Sequence, residues 1–109
     1  MMDVAQITYF IAVAKTGSFS QAAQSLQISQ PSLSRHVQQL EQQLGVALLD
    51  RYHRPMTLTP AGHFFLAQVE PLLLQLAQVG QLTQRFAQPQ RLNHLTIGFV
   101  ASVLYGLLP

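Results

Sequence analysis

Apolar residues recur at helical spacing in the first part of the chain, between short groups of turn residues. Residues 3–15 carry apolar side chains at positions i, i+3, i+4 and i+7, which predicts an amphipathic helix that ends at Gly17. A short helix over residues 19–26 is expected next, with Ser18 as its N-cap. The spacing Ser-x-x-Gln further predicts a capping box, in which the Gln21 side chain reaches back to the backbone of Ser18.

A third helix is predicted to begin after Ser29 and to end at Gly45, because serine and glycine suit those two ends. Pro31 is compatible with its first turn, where a backbone N–H has no partner inside the helix. The buried side of this helix is predicted from the spacing i, i+4, i+7 and i+11 of Leu33, Val37, Leu40 and Leu44. The remaining side is polar and carries Gln30, Ser32, Ser34, Arg35 and Gln38.

After Gly45 the apolar residues no longer follow helical spacing. Residues 48–51 and 56–58 read as two short strands, and residues 52–55 would form the tip between them. A hairpin of this kind after a helix-turn-helix is called a wing. Together with the preceding helices, it predicts a mainly α fold, a winged helix-turn-helix with a two-stranded wing over residues 1–59.

A long helix is predicted over residues 60–87, with Thr59 as its N-cap and Pro60 in its first turn. At 1.5 Å per residue it would be about 40 Å long. Its apolar residues alternate spacings of four and three, as in a coiled-coil seam formed by Phe65, Val69, Leu72, Leu76, Val79, Thr83 and Phe86. So long a stripe favours dimerisation through this helix, although packing inside one chain is the alternative. Pro71 is expected to kink the helix near Ala67, or else to divide it into two shorter helices.

The last part of the chain, residues 88–109, does not continue the long helix. Residues 88–94 read as a hinge, and residues 95–100 as a buried strand that leads into a turn and the start of another helix. A strand without a partner strand is not stable by itself. We therefore expect residues 95–109 to be the truncated start of a second domain.

The amino-acid composition excludes several kinds of function. Only 9% of the 109 residues are charged and the net charge is +2, whereas 16 are glutamine, spread along the chain. With no cysteine, no histidine pair at metal-ligand spacing and no paired carboxylates, we expect neither an enzyme nor a metal or other cofactor. The N-terminus lacks the pattern of a signal peptide and no apolar run spans a bilayer, which favours a cytoplasmic protein without a membrane partner.

The informative unit is the short helix, turn and capped helix over residues 18–45, which is typical of a helix-turn-helix. A helix fits the major groove of DNA, and short polar residues on its first turns can reach base edges. Gln30 offers both a donor and an acceptor to adenine, and Arg35 can form a bidentate pair with guanine. Ser32 and Ser34 suit either bases or phosphates. An ordinary helical bundle with a solvated polar face is the alternative reading.

Charge adds modest support for a nucleic-acid partner. Residues 15–54 carry four cations against two carboxylates: Lys15, Arg35, Arg51 and Arg54 against Glu41 and Asp50. Neutral donors and the N-terminus of the Ser18 helix can also hold phosphates. Arg54, at the tip of the wing beside Pro55, is placed to enter a narrow minor groove, although an exposed loop arginine without such a role is the more frequent case.

Four motifs resemble the N-terminal half of the LysR-type transcriptional regulators. They are F-x-A-V-A-x-T-G-S-F-S-x-A-A-x-x-L from Phe10, S-Q-P-S-L-S-R from Ser29, L-E-x-x-L-G-V-x-L-L-D-R from Leu40 and L-T-P-A-G from Leu58. The resemblance covers residues 3–87. The motifs G-H-F-F from Gly62 and I-G-F-V-A-S-x-L-x-G-L-L-P from Ile97 look like the regulators of benzoate and catechol degradation in bacteria, which respond to muconate.

The resemblance implies roles for individual residues. The base-reading positions of the recognition helix fall on Gln30, Pro31, Ser32, Ser34 and Arg35. Phosphate-contacting positions fall on Ser18, Ser20 and Gln21, and the minor-groove wing position falls on Arg54. Relatives often have Lys or Arg where this chain has Gln21, and Pro71 has no expected counterpart. Ser102 matches a position that contacts the effector carboxylate in the muconate-responsive group.

The resemblance also implies an assembly. The long helices of two chains would pair antiparallel, and the homodimer would read an interrupted inverted repeat in double-stranded DNA. The full-length protein would be a tetramer with a small-molecule effector bound in its second domain. We therefore expect a regulator of transcription, of aromatic-compound catabolic genes in particular. A helical protein-interaction module without DNA specificity is the alternative.

Overall fold

The structure is a computed structural model that describes residues 2–53 and 55–87. In chain order the elements are α1 (Val4–Thr16), α2 (Phe19–Leu26), α3 (Gln30–Leu44), β1 (Leu49–Asp50), β2 (Thr57–Leu58) and α4 (Pro60–Phe86). The predicted fold class, a mainly helical winged helix-turn-helix followed by a long helix, is confirmed. The proposed hinge, the proposed second-domain strand, Ser102 and Arg54 lie outside the described residues.

The first helix is fixed at both ends. Asp3 accepts the N–H of Gln6 at 2.9 Å, and the Gln6 side chain accepts the N–H of Asp3 at 3.1 Å, which completes a capping box. This box was not predicted from the sequence. At the other end Gly17 has φ of 69°, the left-handed conformation that stops the helix as predicted.

The capping box predicted at Ser18 is only half present. The Ser18 hydroxyl does accept the N–H of Gln21 at 3.1 Å, so Ser18 is the N-cap of α2. The N–H of Ser18, however, donates to the hydroxyl of Thr16 at 3.3 Å rather than to the Gln21 side chain. The Gln21 side chain is therefore released from the backbone and lies on the exposed surface.

The core forms where α1, α2 and α3 meet. Phe10, Leu33 and Leu40 are fully buried, and burial of each such side chain stabilises the fold by about 1.5–3 kcal/mol. Ala22 and Ala23 bring α2 close to its neighbours because they add little bulk. The predicted stripe of α3 is confirmed for Leu33, Val37 and Leu40, but Leu44 is 37% exposed, since α3 ends there beyond the core.

The wing is shorter than predicted. Each strand has two residues, and they pair antiparallel with Leu49 opposite Leu58 and Asp50 opposite Thr57. Residues 48, 51 and 56 were expected in the strands but lie outside the ladder. Leu48 and Leu49 are buried, so the base of the wing belongs to the core.

The long helix α4 is continuous, so the alternative of two shorter helices divided at Pro71 is wrong. Thr59 caps it by accepting the N–H of Gly62 at 3.0 Å. A Cβ at Gly62 would lie 2.0 Å from the carbonyl oxygen of Leu48, so only glycine allows the helix to start this close to the wing. Its core side consists of Gly62, Val69, Leu73 and Ala77.

Candidate nucleic-acid interface

The first two turns of α3 carry the predicted base-reading residues on the surface of the domain. Gln30, Pro31 and Arg35 are exposed, whereas Ser32 and Ser34 are half-buried. Ser29 caps the helix by accepting the N–H of Ser32 at 3.2 Å, and Pro31 stands in the first turn as expected. The structure therefore brings these five side chains together at one end of one helix.

Arg35 differs from two of the other cations that the sequence counted toward DNA. Lys15 lies 2.7 Å from the carboxylate of Glu70 on α4, and Arg51 lies 3.0 Å from Glu41 on α3. Arg35 makes no ion pair within residues 2–53 and 55–87. Two of the four cations that the sequence suggested for DNA binding are therefore already paired with carboxylates inside the chain.

The residues predicted to contact phosphates lie at the N-terminal end of α2. The hydroxyl of Ser18 already caps this helix, and the hydroxyl of Ser20 donates to Oε1 of Gln30 at 3.1 Å. Gln21 is exposed, and its side-chain amide has no hydrogen-bond partner in the described part of the chain. Ser20 thus contacts the first residue of α3, and the contact of all three residues with phosphate remains a prediction.

Glu41 holds the wing against α3, a role that sequence reasoning missed. Its Oε2 accepts the backbone N–H of Leu48 at 2.8 Å and that of Leu49 at 3.2 Å. Both of its oxygens also accept hydrogen bonds from the guanidinium of Arg51. That guanidinium lies 5.7 Å from the ring centroid of Phe19 on α2, a cation–π contact that adds α2 to the junction.

The described part of the wing tip is exposed. Pro55 lies at the surface, and the Tyr52 side chain is 96% exposed. Nδ1 of His53 is 3.0 Å from the carboxylate of Asp50. The hydrogen bonds from His53 and from the N–H of Tyr52 hold the pKa of the Asp50 carboxyl below its usual value. This turn presents Tyr52, His53 and Pro55 to solvent on either side of Arg54, whose own role remains a prediction.

The predicted seam of α4 divides into two parts. Phe65 and Val69 pack onto the core of their own chain, with the ring centroid of Phe65 5.6 Å from that of Phe10, so this part of the row follows the alternative of packing inside one chain. From Leu72 onward the row is exposed, since Leu72, Leu76 and Val79 are about half exposed or more and Phe86 is 90% exposed. The predicted Thr83 is exposed as well. Two further apolar residues that the heptad count did not include, Phe64 and Leu82, are also exposed.

No group of three or more His, Cys, Asp or Glu residues in the described ranges is arranged to hold a metal ion. One histidine has a structural role, because the His36 ring packs edge-on against Tyr9 at 5.0 Å and its Nδ1 lies 2.8 Å from the carbonyl of Ser32. No helix among the described residues is long and apolar enough to span a membrane.

Known proteins are similar to this chain along its length. Residues 4–63 match the family model of bacterial regulatory helix-turn-helix proteins of the lysR family. A probable cat1 operon transcriptional activator of Acinetobacter lwoffii is 48% identical over 108 residues, which are 99% of this chain and 35% of that protein. The transcriptional regulator BenM of Acinetobacter baylyi is 44% identical over the same share of the chain, again 35% of its own length.

Among solved structures, the DNA-binding domain of BenM in complex with catB site 1 DNA superimposes with a TM-score of 0.78 at 42% identity. The match covers 83% of this chain and 100% of that one. The chain spans about a third of the length of the curated relatives it matches. These relatives confirm the narrower resemblance to regulators of aromatic-compound degradation. The chain belongs to the LysR family of bacterial helix-turn-helix proteins, which are transcription regulators and not enzymes.

Proposed function

We propose that the chain binds double-stranded DNA sequence-specifically, with α3 in the major groove. The observation that carries this proposal is the first half of α3, where the exposed Gln30 stands on one capped helix with Arg35, which has no ion pair among the described residues. The similarity to the BenM domain in its DNA complex supports the same use of this surface. Ser18, Ser20 and Gln21 flank it on α2, and Arg54 and Pro55 would reach the adjacent minor groove from the wing.

The proposed binding unit is a homodimer that reads an interrupted inverted repeat. The exposed row from Leu72 to Phe86 supports dimerisation, because a contiguous apolar surface of this kind marks an interaction site. A symmetric contact between two copies of α4 would cover this row in both chains. Two α3 helices would then face successive major grooves on one side of the DNA.

The regulated genes and the longer protein complete the proposal. By similarity to its relatives, the chain would control transcription of aromatic-compound catabolic genes in the bacterial cytoplasm. Residues 1–59 would form the DNA-binding domain and residues 60–87 the dimerisation helix. Residues 88–94 would be a hinge to an effector domain that begins at residue 95 and includes Ser102. The full-length protein would be a tetramer that binds a small-molecule effector.

The deciding experiment is selection of bound sites from random duplex DNA. A consensus with two-fold symmetry is expected, whereas enrichment of no sequence would support the alternative, a protein-interaction module. Arg35→Ala should cost about 1–3 kcal/mol at one base position and relax specificity there. Arg85→Ala is the matched control, since it removes the same charge from the last turn of α4 and should leave the consensus unchanged.

Sedimentation tests the dimer separately. Replacement of Leu72 and Leu76 with Asp should yield monomers, because two carboxylates would then be buried in the contact between helices. The control places two Asp residues at Gln78 and Gln81, which are exposed on α4 outside the apolar row. A dimer that persists in the Leu72 and Leu76 variant would exclude this part of α4 as the interface.

A further inference from the structure

Two exposed polar side chains from different helices of the candidate interface form a hydrogen bond with each other. The Ser20 hydroxyl on α2 donates a hydrogen bond to Oε1 of Gln30, the first residue of α3, over 3.1 Å. Both positions were assigned separate DNA contacts on the sequence alone, Ser20 to phosphate and Gln30 to a base. A link between them means that the two side chains do not act independently.

We propose that Ser20 is a positioning residue that sets the base preference of Gln30, an inference that rests on the proposed DNA binding. The side-chain amide of glutamine has a carbonyl oxygen that accepts hydrogen bonds and an NH2 group that donates them. The hydrogen bond from Ser20 holds the carbonyl oxygen toward α2. The NH2 group of Gln30 is then the group left to face the groove.

A donor that faces the groove selects base edges rich in acceptors. Guanine presents two acceptors there, N7 and O6, whereas adenine presents N7 beside the N6 amino donor. The bidentate contact of glutamine with adenine requires Oε1 to accept from N6. Since the hydrogen bond from Ser20 fixes the direction of that oxygen toward α2, the chain should favour guanine over adenine at the position read by Gln30. The adenine contact expected from the sequence is therefore not the one this geometry prepares.

This role differs measurably from a phosphate contact. Removal of a neutral phosphate contact, such as a serine hydroxyl, weakens binding to all sequences alike and leaves the salt dependence unchanged, because that dependence counts the phosphates neutralised by Lys or Arg. Removal of a positioning contact leaves binding to non-cognate DNA unchanged and alters the preference at one base position. That position is identified independently, as the one whose preference disappears in Gln30→Ala.

The experiment compares base preferences in duplexes randomised at each operator position, bound by the wild-type chain and by variants and then sequenced. In Ser20→Ala the freed carbonyl should raise the adenine-to-guanine ratio at the Gln30 position roughly threefold to tenfold, the range expected for one hydrogen bond. Ser20→Thr keeps the hydroxyl and should restore the wild-type ratio. Ser25→Ala makes the same substitution on the exposed surface of α2 at a side chain outside this contact, and should change nothing.

Three results would overturn the proposal. They are an unchanged ratio in Ser20→Ala, a loss of affinity that is equal for all sequences, and a shift in ratio that persists in the Gln30→Ala background. Circular dichroism of each variant checks that the fold is retained, which is expected because Ser20 is exposed. If the wild-type chain itself shows no base preference at any position, the proposed function fails rather than the role of Ser20.

Discussion

Replacement of Glu41 by alanine should destabilise the domain far more than loss of a surface ion pair would. The Glu41 side chain is 11% exposed, and its carboxylate accepts hydrogen bonds from the N–H groups of Leu48 and Leu49 at the base of the wing. Alanine leaves both donors without this acceptor in a part of the chain that is buried. Each unsatisfied buried donor costs about 1–3 kcal/mol.

The expected loss follows from those two donors rather than from Arg51. The Arg51 side chain is 38% exposed, so its ion pair with Glu41 contributes at most about 1 kcal/mol. The 3.2 Å bond to Leu49 is longer than the 2.8 Å bond to Leu48, and it should contribute toward the lower limit. The free energy of unfolding should therefore fall by about 2–4 kcal/mol in Glu41→Ala. Glu41→Gln keeps one oxygen that can accept both N–H groups, as Oε2 does, but loses the charge that strengthens these bonds, and should lose about half of that.

Urea denaturation followed by circular dichroism measures this difference, with the slope of the transition checked for constancy between variants. Glu70→Ala is the matched control, because it also removes a helical glutamate from an ion pair, with Lys15, but leaves no backbone donor unpaired. The control should lose less than about 1 kcal/mol. If Glu41→Ala lost no more stability than Glu70→Ala, the carboxylate would not hold the wing as we argue.

Three further predictions follow from single contacts. Gly62→Ala should destabilise the fold by about 3 kcal/mol or more, because its Cβ would lie 2.0 Å from the Leu48 oxygen; an unchanged melting temperature would contradict the close approach of α4 to the wing. His53→Ala should raise the pKa of the Asp50 carboxyl toward its usual value, measured by carboxyl NMR shifts. Since the folded-state pKa is the lowered one, its contribution to stability is complete above the unfolded pKa and is lost as pH falls through the lowered value. In salt titrations of DNA binding, Lys15→Ala should leave the slope unchanged, because its ammonium is paired with Glu70 rather than with a phosphate; a lower slope would contradict that pairing.

The helices of this domain were predictable because their signals are local. Apolar spacing, an N-cap serine or threonine and a terminal glycine lie within a few residues of one another, as at Ser29 and Gly45. The capping box at Asp3 had the same kind of signal, an aspartate with a glutamine three residues later, and could have been found. The box at Ser18 failed because the side chain of Thr16, two residues earlier, competes for the same backbone N–H.

The division of α4 could not be predicted from spacing alone. A heptad count treats every turn of a helix alike, but the first turns of α4 are covered by α1 and the wing, while the last turns extend beyond them. The same geometry explains why the helix continues through Pro71. The interior proline costs about 3 kcal/mol, and burial of Val69, Leu73 and Ala77 on both sides of it offsets that cost.

Charge shows most clearly what a sequence count omits. A net charge of +2 and a content of 16 glutamines favour a binder that relies on neutral hydrogen-bond donors. The partners of Lys15 and Arg51 lie 55 and 10 residues away along the chain, and nothing in the spacing identifies them. Once they are paired, Arg35 is the cation of α3 that is left to neutralise DNA within the described residues. Specificity should then depend on the direction of individual hydrogen bonds on α3, which is why a serine that orients one glutamine can matter as much as a further positive charge.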